Sequence, residues 1–130
     1  MPFDLMKLGP AAIAIAAALA LTPTAAFAHG SMKPQHGGLV QMSGETMVEL
    51  VAGPKGVDIF ISEEDEPLPA SAYTATLTQT ASGQKTQAAL KPAGGNKLSA
   101  PGFIAAKGTK IVVALTDPSG AKIFTTFQTR

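Results

Sequence analysis

The chain has 130 residues, of which 45% are hydrophobic, 15% charged and 5% aromatic, and its formal net charge is +1. That length fits a single domain, and so balanced a charge lacks the clustered Lys and Arg that nucleic acid demands. Cysteine and tryptophan are both absent, which excludes disulfides, thiolate metal sites and cysteine nucleophiles and leaves little material for an aromatic cofactor pocket.

The N-terminal stretch carries Lys7 and then an unbroken run of Ala, Ile and Leu from Ala11 to Leu21. A spanning helix needs about 20 apolar residues, so this run is short for an anchor. Thr22-Pro23-Thr24 interrupts it, and Ala26-Phe27-Ala28 follows. A basic residue, a short apolar core and an A-x-A site together predict a secretory signal over 1–28. Cleavage after Ala28 leaves a mature chain from His29 to Arg130, exported to a bacterial periplasm, with no membrane segment of its own.

From His29 to Gly38 the chain reads HGSMKPQHGG. Three glycines beyond the first histidine and a proline give neither helical nor strand period, so residues 29–38 are expected to form a flexible arm. Residues 39–130 are expected to form the folded domain. Thr46 to Ala52 sets Val48, Leu50 and Ala52 against Met47, Glu49 and Val51. Gly53-Pro54-Lys55-Gly56 is turn composition, and Val57 to Ser62 alternates again, so a hairpin is predicted. Glu63 to Glu66 is an acidic run followed by Pro67-Leu68-Pro69; proline cannot donate to a ladder, which makes this a connection or a sheet edge. Tyr73–Thr80, Gln84–Lys91, a short segment around Leu98, Thr109–Thr116 and Ala121–Thr129 complete the series, with turns at Ser82-Gly83, Pro92–Asn96 and Asp117–Gly120. No window holds a 3.6-residue period. Seven or eight short strands spaced by turns predict an all-β protein, an antiparallel immunoglobulin-like β-sandwich.

Catalytic constellations are scarce. The two histidines, His29 and His36, both sit on the Gly-rich arm, a poor place to hold a general base in register with a nucleophile. The acidic run lacks the alternating ligands and turn glycine of a calcium loop and reads as a solvated loop. No enzymatic activity is expected.

The arm carries the metal chemistry. With cleavage after Ala28, His29 offers a free α-amine, whose pKa lies near 8, together with its imidazole. His36 follows seven residues later, and Pro34 and the glycines allow the two rings to meet. Two imidazoles and an amine suit Cu(II). Met32, Met42 and Met47 lie in or just beyond the arm, and thioether sulfur favours Cu(I); Met42 and Met47 serve equally well as core fillers. The candidate ligands are therefore His29, His36, Met32, Met42 and Met47, and the expected metal is copper, as Cu(II) or Cu(I).

The His36-Gly37-Gly38 motif, Val48-Glu49-Leu50-Val51, the acidic turn and the LKPAGGNKL segment from Leu90 to Leu98 resemble a group of small exported bacterial domains with an HGG…ELV opening. Such domains occur alone in the periplasm and beside heavy-metal efflux components. The resemblance covers nearly all of the mature chain and implies a periplasmic β-sandwich with metal handling and no catalytic residues. An N-terminal histidine on a small sandwich also resembles the CopC-like copper carriers. Two functions of different class follow as expectations: a periplasmic copper carrier or resistance accessory, with a metal efflux or envelope protein as its partner, and a non-catalytic interaction module of a cell-envelope complex.

Overall fold

Residues 32–130 are described in a computed structural model of the chain; the expected signal segment and His29 lie outside the described residues. Among the described residues nine strands form one antiparallel sheet: β1 (Leu39–Ser43), β2 (Thr46–Gly53), β3 (Gly56–Glu63), β4 (Glu66–Pro67), β5 (Thr74–Ala81), β6 (Gln84–Pro92), β7 (Lys97–Pro101), β8 (Lys110–Thr116) and β9 (Lys122–Gln128). The only helical element among them is a single 3₁₀ turn, Ala70–Ala72. Among the described residues no helix is long and apolar enough to cross a membrane.

The strand order is β1-β2-β3-β7-β6-β5-β8-β9, with β4 attached to β3. The first and last strands of that order approach each other, so the sheet curls into a barrel-like form. Alternation dictates what fills it, because successive side chains of a strand point to opposite faces. Val48 and Leu50 of β2, Val57, Ile59 and Ile61 of β3, Leu77 of β5 and Ile111, Val113 and Leu115 of β8 are all buried in one core. Phe127 fills the β9 side, while its neighbour on the outer face, Phe124, stays 58% exposed.

Three hairpins follow the turn chemistry. Gly53 pairs with Gly56 around Pro54-Lys55. Ser82 and Gly83 both take positive φ, as a two-residue turn matched to strand twist requires. Asp117 Oδ1 accepts hydrogen bonds from Ser119 N–H at 2.9 Å, the Ser119 hydroxyl at 2.6 Å and Ala121 N–H at 2.9 Å, fixing the β8–β9 turn.

Two strands add to those expected. β1 is a short run that alternation alone did not mark, and it pairs with β2 through Val40–Glu49 and Met42–Met47. β4 is two residues long and pairs Ser62 with Pro67. A proline at that place is compatible with the ladder because β4 is an edge.

The connection from Gly102 to Thr109 is not strand, and a polar cluster holds it. Gln79 of β5 accepts Ala106 N–H at 2.7 Å and the Thr109 hydroxyl at 3.0 Å. The Thr129 hydroxyl donates to the Ala106 carbonyl at 2.7 Å and accepts Thr109 N–H at 2.8 Å. Gln79, Thr109 and Thr129 are all buried.

Candidate functional site

On β2 the outward positions are Met47, Glu49 and Val51, and an outward glutamate belongs in water. Glu49 is nevertheless only 1% exposed, because residues 35–38 lie across it. Its Oε1 accepts Gln35 N–H and meets His36 Nδ1, each at 3.0 Å. Its Oε2 accepts His36 N–H at 2.8 Å and Gly38 N–H at 2.9 Å. A carboxylate offers about four lone-pair sites, and all four are used. Burial pushes this carboxyl up, but the His36 ring and the amides of Gly38, His36 and Gln35 outweigh it, and the net shift is below the usual carboxylate range.

The two glycines of the His36-Gly37-Gly38 motif make this docking possible. Gly37 sits at φ +74°, and Gly38 runs so close to β2 that a Cβ there would overlap the Leu50 carbonyl oxygen and reach Val51 Cγ2 at 2.9 Å. Two separate sequence features, HGG and the ELV of β2, thus form one structural device. The glycines let the backbone descend onto the strand, and the glutamate collects the amides that descent leaves unpaired.

The imidazole of His36 is held in a second way. Phe60 lies directly opposite Glu49 in the β2–β3 register, so both side chains project from the same face. The His36 and Phe60 rings stack with centroids 3.6 Å apart and planes 6° from parallel. Phe60 fixes the plane of the imidazole and Glu49 fixes its rotation in that plane. The side chain of His36 remains 43% exposed.

Beside this ring lies a pocket of about 170 Å³, lined by His36, Glu49, Phe60, Met47, Ser62 and Asp65 among others. Met47 is buried but stands outside the hydrophobic core cluster. It lies two residues before Glu49 on the same face of β2. Asp65 arrives on the β3–β4 turn, where Glu64 and Asp65 take φ of +51° and +68°.

The residues named from sequence therefore separate into groups. His36 and Met47 share the pocket. Met42, half-buried, is the direct cross-strand partner of Met47. Met32 does not join them: it is 52% exposed and lies with Val40, Phe127 and Arg130 around a different concavity. His29 lies outside the described residues. Glu49 and Phe60, which organise the site, were not among the candidates. Among the described residues no three of His, Cys, Asp and Glu come together as a metal-binding group. The donor types lining this pocket are the His36 imidazole and the Met47 thioether, with oxygen from Ser62, Asp65 and the already engaged Glu49; within that mixed set the imidazole and the thioether are the donors that suit a soft ion.

Comparisons of the chain with protein-family models, with curated proteins and with solved structures give no match.

Proposed function

We propose that the protein is an exported, non-catalytic copper-binding protein of the periplasm, a carrier or resistance accessory that passes its ion to a metal efflux or envelope partner. The observation that carries this reading is the oriented His36 ring beside Met47 in one small pocket. A site of one imidazole and one or two thioethers suits Cu(I), which accepts low coordination numbers and soft donors. His29, with its α-amine and ring, supplies the nitrogen donors that Cu(II) prefers, and His36 is the imidazole common to both oxidation states. Met42 stands next to Met47 as a reserve thioether, and the exposed Met32 serves capture rather than storage.

The scaffold is read as the immunoglobulin-like sandwich expected from the sequence. β6 pairs with β5 along Gln84–Leu90 but with β7 only at Lys91 and Pro92. Two layers meeting at such a crossover support that description.

The test is a competitive titration with Cu(I) and with Cu(II) of the protein beginning at His29. His36→Ala is expected to weaken both, Met47→Leu to weaken Cu(I) alone, and one residue added before His29 to weaken Cu(II) alone. Unchanged affinities in His36→Ala, or no binding by the unaltered protein, would sink the copper reading. The envelope interaction module would then be the better account.

A further inference from the structure

We infer that Glu49 is a positioning residue that selects the Nδ1–H tautomer of His36 and so makes Nε2 the nitrogen offered to a metal. An ionised carboxylate can only accept hydrogen bonds. Oε1 lies 3.0 Å from Nδ1, so the proton between them belongs to the ring. A neutral imidazole carries one ring proton, and with Nδ1 protonated the lone pair is left on Nε2.

The rest of the cluster keeps that choice from reversing. Oε1 and Oε2 each hold a second donor, the amides of Gln35 and of His36 and Gly38 being fixed by backbone. The carboxylate therefore cannot swing away from the ring without unpairing three backbone amides. Nor can the ring flip freely, because it lies flat on Phe60 at 3.6 Å. Plane, rotation and tautomer of His36 are thus all set before any ion arrives. A histidine ligand whose other nitrogen donates to a carboxylate is the usual supporting arrangement of metal centres. Here the supporting half is assembled from one strand and an arm that reads as unstructured in sequence.

The metal arm of this inference rests on the copper reading; the tautomer does not. The first measurement is therefore made without metal. Long-range ¹H–¹⁵N correlation spectra of the labelled protein, at alkaline pH where the ring carries one proton, report which nitrogen holds it. His36 is assigned by the loss of its signals in His36→Ala. The expected result is protonated Nδ1 and bare Nε2. A ring found in the Nε2–H form in the unaltered protein overturns the inference, whatever the protein does with copper.

Cu(I) is then added. The Nε2 resonance is expected to respond, and Glu49→Gln is expected to lower Cu(I) affinity by about 10- to 100-fold with mixed tautomers. An amide presents one donor where the arm requires an acceptor. Phe60→Leu separates positioning from simple arm docking: it removes the stacked ring but keeps the carboxylate, and is expected to retain the Nδ1–H tautomer. If Phe60→Leu shifts the tautomer as Glu49→Gln does, Glu49 has no specific role and the inference falls. If the unaltered protein shows the Nδ1–H tautomer yet no Cu(I) affinity, Glu49 does hold the ring and the copper reading is what fails.

Discussion

Two buried polar clusters tie irregular segments to this barrel, and they do so differently. At the Gln79–Thr109–Thr129 corner, an amide and two hydroxyls fasten the 102–109 connection and the C-terminal end. Every group there is neutral and the cluster is closed. At Glu49 the chain buries a carboxylate under residues 35–38, and the cluster ends in an imidazole that is 43% exposed. Burying a charge costs several kcal/mol before its partners are counted. Neutral groups suffice to close a loop, as the first corner demonstrates. The charged cluster adds something the neutral one does not: a strong acceptor that orients a basic ring at the surface.

Removing each acceptor separates the two roles. Glu49→Ala takes the partner from three backbone amides and the ring at once. The arm can lift and hydrate those amides, which limits the expected loss to about 3 kcal/mol, within the range for hydrogen bonds to a charged group. Urea unfolding reads the loss, and hydrogen exchange at Gln35, His36 and Gly38 should accelerate by the same factor. Gln79→Leu takes the acceptor from the Ala106 amide and from the buried Thr109 hydroxyl, a cost of about 2 kcal/mol. In that variant the His36 ring signals should stay where they are. A shift of His36 in Gln79→Leu would mean that the two corners are coupled through the sheet rather than independent.

The inner half of the molecule was far more legible in sequence than the outer half. Alternation in β2, β3, β8 and β9 marked Val48, Leu50, Ile59, Ile111 and Phe127 because the inward residues, the buried Thr125 of β9 apart, are apolar and each turn carries Gly, Pro or Asp. The same rule put Glu49 on the face opposite Val48 and Leu50, and for the sheet alone that placement is correct. What buries Glu49 is a segment of chain 11 to 14 residues away, and no periodicity links an arm to the face it covers. Composition likewise made residues 29–38 an arm. The sequence feature that corresponds to docking, and that was not read as such, is the pairing of two consecutive glycines with an acidic residue at mid-strand; its meaning is a close backbone approach that only a glycine at position 38 tolerates. β4 escaped notice for a simpler reason: two residues are too few for any pattern. Met42 and Met47 are five positions apart in sequence, which says nothing about adjacency until the β1–β2 turn brings them into register.

The smallest expected difference between the clusters is their response to acid. Glu49 titrates lower in the folded chain than in the unfolded one, because the hydrogen bonds from the His36 ring and the three amides outweigh the opposing effect of burial. The unfolded chain therefore takes up a proton more readily, and stability rises with pH wherever that is so. The contribution of Glu49 is fully present above the ordinary glutamate range near 4.3 and is lost as the pH falls through the lower, folded value. The Gln79 corner has no such group. A pH series of urea midpoints should accordingly show the gap between the unaltered protein and Glu49→Gln closing on the acid side, while the gap to Gln79→Leu stays level. Parallel curves for both variants would place the proton-linked stability elsewhere in the molecule and remove the distinction between a charged clasp and a neutral one.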